Sequence, residues 1–421
     1  MSPPPFFALL GDLNFRHHTR NNHEHFQDWL RRNAVDALLD GQQEIPTFTS
    51  SSGGHRSTID YIFLSPTLAN HISNRRWLYS CGFSDHDLLS IDLQPPGETP
   101  RGKGVWQCNK FHIRQPEFAP ILKQALDHLF SRPFQDTDAE AWERVKKRVK
   151  SVCISYSSAA KQRDNNALDL LHERRQDWIL QEAVALGTND PNLPDIQAEV
   201  RLIEQELDQL TGEHLEQLAF RSGLQWIEKG ERSTQYFHRA IKQRRQKRSI
   251  PALTRPAEPD VELKGQEMRD YARSFYSELY TPEEHPEAAA AMDHVLSPLQ
   301  HGPRVTVEEN TSILLPLTME DLWNMMDYAP RGRAPGDDGL PFELYPLLFE
   351  HGPTALLFLR LINKALLTGE FPPSWYRTVM ILLHKKGDPQ RLANWRPLSL
   401  INCDAKIFTK VIANRLNGIL P

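Results

Sequence analysis

The run Gln94-Pro-Pro-Gly-Glu-Thr-Pro-Arg-Gly-Lys-Gly104 constrains the fold of this 421-residue chain more than any other stretch. Its prolines fix φ and remove backbone donors, and its glycines leave the remaining backbone unrestrained. Neither a helix nor a strand continues through such a segment, so the chain divides there. On its N-terminal side, short apolar runs at Phe6–Leu10, Ile59–Leu64 and Leu88–Leu93 predict strands. Phe26, Trp29, Leu30 and Leu38 share a helical spacing and predict a helix over Phe26–Leu39. The mixture predicts an α/β class for residues 1–94. Beyond the break the patterning is mostly helical as far as residue 250.

Within that helical region, Ile196, Val200, Ile203, Leu207 and Leu210 step by four, three, four and three. Only about two heptads are covered, fewer than a coiled coil needs. An antiparallel helix pair broken at Asp190-Pro-Asn-Leu-Pro194 is the simpler expectation. Pro-bearing breaks follow at residues 251–259 and 282–303, and dense helical patterning resumes at Thr318. The expected organisation is therefore residues 1–94, 95–250, 251–308 and 309–421.

The net charge of -5 gives the chain no global positive field, so any nucleic-acid binding must come from local patches. Cys81, Cys108, Cys153 and Cys403 show neither metal-ligand spacing nor a disulfide framework. A reducing, intracellular compartment is the natural expectation. No apolar run reaches the roughly 18 residues of a membrane span, and the first residues lack the basic start of a signal peptide. His17-His18 with His23-Glu-His25 fits no standard zinc spacing and reads as a solvated loop.

Three constellations carry chemistry. In the first, Gly11-Asp-Leu-Asn14 follows the first strand. Asp12 can orient or deprotonate a water and Asn14 can donate to a phosphate oxygen, although such a tetrapeptide alone is more often just a turn. Ser57-Thr-Ile-Asp-Tyr-Ile-Phe63 places Asp60 within an apolar strand, where an acid is costly unless paired. Ser84-Asp85-His86 precedes the next strand. Asp60 with His86 is the obvious pairing, because a buried carboxylate fixes an imidazole's tautomer and raises its basicity.

In the second, Arg239, Lys242, Arg244, Arg245, Lys247 and Arg248 lie together with no acid among them, just after Trp226, Tyr236 and Phe237. Basic side chains neutralise phosphates, and aromatics stack on unpaired bases. A solvated helix face or a nuclear-import signal explains the same residues. In the third, Arg333-Ala-Pro-Gly-Asp-Asp-Gly-Leu-Pro-Phe-Glu343 reads as a turn leading into a helix. Its Asp337 and Asp338 take turn and cap roles rather than catalytic ones. Val379–Leu383 predicts a strand, with Lys385, Lys386, Arg391 and Arg396 around it. Either these basic side chains hold a triphosphate or template backbone, or Lys-Lys-Gly-Asp is merely a hairpin turn. Asp404 is expected to cap a helix whose Ile407, Phe408, Val411, Ile412 and Leu416 share one face.

The order Gly-Asp-Leu-Asn, Ser-Thr-Ile-Asp-Tyr-Ile-Phe, Ser-Asp-His resembles the second half of the endonuclease/exonuclease/phosphatase family, which includes the endonuclease domains of LINE-type (non-LTR) retrotransposons. The third constellation, continuing through Leu382–Leu416, resembles the fingers-side blocks of the reverse transcriptases of those elements. The second resembles the segment between the two. The resemblance implies a partial endonuclease-type sandwich, a mostly helical middle and a partial polymerase fingers region. It makes Asp12 and Asn14 active-site groups and Asp60 the orienter of His86. His86 would stand at the scissile phosphate. Asp85 would be a metal-site or water-orienting carboxylate. Thr47 matches a threonine of the LINE type on the nucleic-acid side, and Lys385, Lys386 and Arg396 fall among nucleotide and template contacts. Mg²⁺ or Mn²⁺, DNA and RNA are the implied cofactor and partners. No small-molecule cofactor or membrane is implied, and the implied location is intracellular, with the nucleus expected ahead of the cytoplasm. In the family a glutamate, a tyrosine and half the sandwich precede these motifs, and metal-binding aspartates follow the fingers. Ten residues precede Gly11 and the sequence stops at Pro421, so both catalytic centres are expected to be incomplete.

Overall fold

A computed structural model describes residues 6–14, 24–38, 45–50, 56–80, 84–94, 104–222, 250–282, 288–297, 305–327 and 332–419. In chain order the elements begin with β1 (Ala8–Asp12), α1 (Glu24–Asn33), β2 (Val35–Asp36), β3 (Phe48–Thr49), β4 (Arg56–Ser57) and β5 (Asp60–Leu64). Next come α2 (Pro66–Ala69), β6 (Ile72–Leu78), β7 (Leu88–Leu93), α3 (Lys110–Ile113), α4 (Phe118–Phe130), α5 (Asp138–Thr188) and α6 (Leu193–Ser222). They are followed by β8 (Leu253–Arg255), β9 (Glu258–Leu263), α7 (Gly265–Leu279), α8 (Ala288–Leu296), α9 (Val307–Leu314) and α10 (Met319–Asp327). The last are α11 (Tyr345–Glu350), α12 (Gly352–Thr368), β10 (Val379–His384), β11 (Trp395–Leu400) and α13 (Cys403–Asn417). The class is mixed helix and sheet, and all described strand pairs are antiparallel.

The chain forms two compact units, residues 1–102 with 159–239, and residues 103–158 with 240–421. In the first, β5 lies between β1 and β2. Successive side chains of a strand point to opposite faces. Tyr61 and Phe63 therefore pack with Leu30 of α1, while Ile62 and Leu64 pack toward Trp77, Leu89 and Ile91 of β6 and β7. Both faces of β5 are buried, which explains its continuous apolar run. The expected helix over Phe26–Leu39 is shorter than predicted. It ends at Asn33, and Val35 pairs with Leu64 as a strand. Asp36 then accepts the Leu38 N–H at 3.1 Å in a local turn, an alternative to helix that Asp readily offers. The first strand is also displaced, running from Ala8 to Asp12, so Asp12 closes the strand instead of sitting in the loop after it.

The expected helix pair is present: α5 and α6 are separated at Asp190, and Val200, Ile203 and Leu207 are buried. Leu171 of α5 packs with Ile203 and Leu207. In the second unit, Trp142, Val145, Val149 and Cys153 form the buried stripe of the N-terminal part of α5. Trp142 packs on Phe358 of α12, with ring centroids 4.7 Å apart. Hairpin β8–β9 sits beside hairpin β10–β11, joined by a 2.9 Å bond from the Thr254 N–H to the Gln390 carbonyl. Leu253, Tyr276 and Leu392 form the core beneath them. Cys108 and Cys153, distant in sequence, are neighbours. A hydrogen bond with Cys108 and burial hold the Cys153 thiol above its ordinary range. Both are free thiols, as is Cys403.

Candidate functional site

In the first unit, β1 and β5 place Asp12 opposite Asp60. Gly11 has φ of +136° and Asn14 φ of +53°, conformations that glycine and asparagine tolerate best, so the chain turns sharply past Asp12. The turn is tied by the Asn14 N–H, which donates to Asp12 Oδ1 at 2.7 Å. Asp60 begins β5 at the rim of the apolar strand. Its Oδ2 lies 2.8 Å from His86 Nδ1, the pairing expected from sequence. The Thr47 hydroxyl also donates to Oδ2 at 2.8 Å. That hydroxyl accepts the Ile59 and Asp60 N–H groups at 3.2 and 3.1 Å. Thr47 is only 2% exposed, so it acts from within the fold and not on its surface.

His86 stands on an extended segment bridged to β3 at Phe48. The Asp87 N–H donates to the Thr47 carbonyl at 2.7 Å, and the Thr49 N–H donates to the Asp85 carbonyl at 2.8 Å. The Phe48 ring meets the imidazole edge-on at 5.1 Å. These contacts hold the ring on one face and leave the His86 side chain 30% exposed. With Asp60 as an acceptor at Nδ1, that nitrogen carries the proton and Nε2 is directed elsewhere. The Asp60 hydrogen bond raises the imidazole pKa. Burial opposes it, and the charges of Asp60, Asp85 and Asp12 assist it. Asp85 Oδ1 is 4.0 Å from Nε2, with its side chain 55% exposed.

Among the described residues, no group of three or more His, Cys, Asp or Glu side chains is placed to hold a metal ion. Mg²⁺ commonly takes only one or two carboxylates and fills its shell with water and substrate phosphate. The exposed carboxylates of Asp85 and Asp12 beside His86 suit that open arrangement and do not form a closed cage.

Three charged residues absent from the sequence reading lie beside this site. Asp87 is paired with Arg175 of α5 at 2.7 Å, and Arg175 Nε reaches Glu204 of α6 at 3.0 Å. Nothing in the polar run around Arg175 distinguishes it from a solvated helix face. The partner that buries it lies far away in the chain.

In the second unit, Lys385 and Lys386 lie in the exposed turn of the β10–β11 hairpin, and Arg396 is exposed on β11. The Lys385 N–H donates to the Asn394 carbonyl at 2.9 Å, and Gly387 supplies the φ of +83° that the turn requires. Arg239, Lys242, Arg244, Arg245, Lys247 and Arg248, with Trp226, Tyr236 and Phe237, lie outside the described residues.

The Asp-Asp sequence has a different setting from the one expected. Asp338 does make a turn, accepting the Leu340 N–H at 3.0 Å. It also stands 3.6 Å from Lys146 Nζ, which is 3.0 Å from Asp404. The expected capping role of Asp404 is not found. Asn402 occupies the N-cap, while Asp404 is fully buried and accepts the Trp142 indole N–H at 2.8 Å. Its polarity serves a buried ion pair, a role that local sequence spacing does not reveal. Asp337 is half-buried, 3.7 Å from Arg377.

No family model matches the sequence. The chain is 28% identical over 381 residues to the transposon TX1 uncharacterized 149 kDa protein of Xenopus laevis, covering 89% of this chain and 28% of that protein. It is 30% identical over 110 residues to the probable RNA-directed DNA polymerase from transposon BS of Drosophila melanogaster, covering 25% of this chain and 12% of that protein. The chain thus corresponds to less than a third of either relative's length. Its relatives are transposon-encoded proteins. They bear out the resemblance to LINE-type retrotransposon polyproteins.

Proposed function

We propose that this chain belongs to the machinery by which a retrotransposon protein nicks DNA and copies RNA into the break. In this reading residues 1–94 carry the His86 side of a metal-dependent phosphodiesterase site, and residues 309–421 carry the fingers side of an RNA-directed DNA polymerase. The observation that carries the first assignment is the Thr47–Asp60–His86 relay, with 2.8 Å at each step. Thr47 orients the carboxylate and Asp60 holds the Nδ1 proton. Nε2 is left to donate to a phosphate oxygen or take a proton from water. Asn14 and Asp12 border the same rim. Asp85, with Asp12 near, would hold a divalent ion, which would supply charge neutralisation on the phosphate. The domain division, the Mg²⁺ or Mn²⁺ requirement and an intracellular, nuclear site of action follow from this reading. No helix of the described residues is long and apolar enough to cross a membrane.

A plasmid-nicking assay with Mg²⁺ tests it. Nicking that His86→Ala lowers by about 10²-fold or more supports the reading, and nicking that survives His86→Ala contradicts it. The exposed Lys385, Lys386 and Arg396 favour a second reading, nucleic-acid binding without cleavage. It predicts an inactive wild type that binds single-stranded RNA. If about three phosphates are neutralised, log K against log[salt] has a slope near -2. Replacing all three basic residues with alanine then flattens that slope.

A further inference from the structure

We propose that Arg175 is a positioning residue for His86, acting through Asp87 from a helix far along the chain. The proposal rests on the phosphodiesterase reading of the His86 site. Arg175 Nη1 is 2.7 Å from Asp87 Oδ2 and its Nε is 3.0 Å from Glu204 Oε1, with the guanidinium centre 4.4 Å over the Tyr79 ring. The arginine side chain is 5% exposed and that of Asp87 is 9% exposed. Arginine stays charged in proteins, and burying a charge costs several kcal/mol unless its partners are well placed. Packing α5 on α6 does not require that cost, because Leu171, Ile203 and Leu207 already supply an apolar contact. What the buried cation adds is a fixed position for Asp87.

Asp87 directly follows His86. Neighbouring side chains on an extended segment project to opposite sides. His86 turns toward Asp60 and Phe48, and Asp87 turns toward α5. Holding the Asp87 carboxylate therefore limits rotation of the His86 backbone. The two backbone bonds that flank His86, from Asp87 to Thr47 and from Thr49 to Asp85, measure 2.7 and 2.8 Å and depend on the same register. A second ion pair, Arg56 to Glu182 at 3.0 Å, ties α5 to β4 on the other side of this loop's partner strand. Gln197 of α6 donates to Glu182 at 3.1 Å. The helix pair is thus built into the nuclease unit and buttresses its histidine.

Amide hydrogen exchange on the full chain tests this, comparing wild type with Arg175→Met and Arg175→Lys. The Asp87 and Thr49 amides should exchange at least tenfold faster in Arg175→Met, while the amides of the β1–β5 ladder keep their rates. Lysine, which retains the cation, should restore part of the protection. In the nicking assay, kcat should fall at least tenfold in Arg175→Met with KM for DNA within twofold. Unchanged exchange at the two amides, or acceleration spread evenly over the unit, would overturn the proposal and leave Arg175 a structural staple. Should Arg175→Met fail to fold, Glu204→Gln loosens the same guanidinium and is judged by the same two exchange outcomes. If the wild type does not nick, the phosphodiesterase reading fails, while the exchange comparison still decides the clamp.

Discussion

The two units each bring a basic side chain onto aspartates, with opposite consequences. In the first, His86 meets Asp60 at a rim where the imidazole remains 30% exposed. In the second, Lys146 meets Asp404 and Asp338 with its side chain only 4% exposed. Lys146 is raised in pKa although burial pulls the other way, because its carboxylate neighbours outweigh that penalty. Burial and the charge of Asp404 push Asp338 up to about 6. The comparison teaches that an acid–base pair becomes a reactive site only where a proton and a substrate can reach it. The sealed cluster serves to join α5, the turn at Asp338 and α13. The open relay leaves its imidazole within reach of solvent.

The largest expected effect lies in the sealed cluster. Lys146→Met leaves Asp404 without its buried cation and should lower unfolding stability by about 3–5 kcal/mol. Urea titration measures this, and a change below about 1 kcal/mol would put the cluster on the same footing as an exposed pair.

Thr47→Val probes the open relay. It removes the hydroxyl that donates to Asp60 and accepts two backbone N–H groups. The expected loss is about 1–2 kcal/mol, smaller than for Lys146. The same variant should reduce any nicking activity, which Lys146→Met should affect only through stability. Equal stability losses in the two variants would erase the distinction between the regions.

How far the sequence anticipated these regions follows from how local each signal is. Asp60 was legible because an acid in the apolar run at Tyr61–Leu64 demands a partner, and Ser84-Asp85-His86 offered one nearby in the chain. Strand β7 and the break at Asp190 were equally legible, since alternation and proline act over a few residues. Arg175 and Lys146 were not, because their meaning comes from partners that only the folded chain brings close. Asp404 looked like a cap for the same reason: its position near a helix start was visible, and Trp142 and Lys146 were not.

A smaller effect comes from His172, beside the relay's buttress. Its Nδ1 accepts the Tyr79 N–H at 3.4 Å. Burial and the charge of Arg175 lower its pKa to about 4, with Asp169 opposing them. The folded imidazole is therefore neutral, while in the unfolded chain it takes a proton below about 6.5. Stability from this group is complete above about pH 6.5 and is lost as pH falls toward 4. The loss should be on the order of 1 kcal/mol, allowing for its partial exposure. His172→Gln should remove that component from the pH dependence of the urea midpoint. An unchanged pH dependence would place the titration elsewhere.

The most direct test of the comparison is the tautomer of His86, read from the imidazole ¹⁵N shifts of the folded chain at a pH where the ring is neutral. The open relay predicts a proton on Nδ1, held by Asp60, with Nε2 unprotonated, and loss of that preference in Asp60→Ala. A proton on Nε2 in the wild type, or identical spectra in wild type and Asp60→Ala, would contradict it.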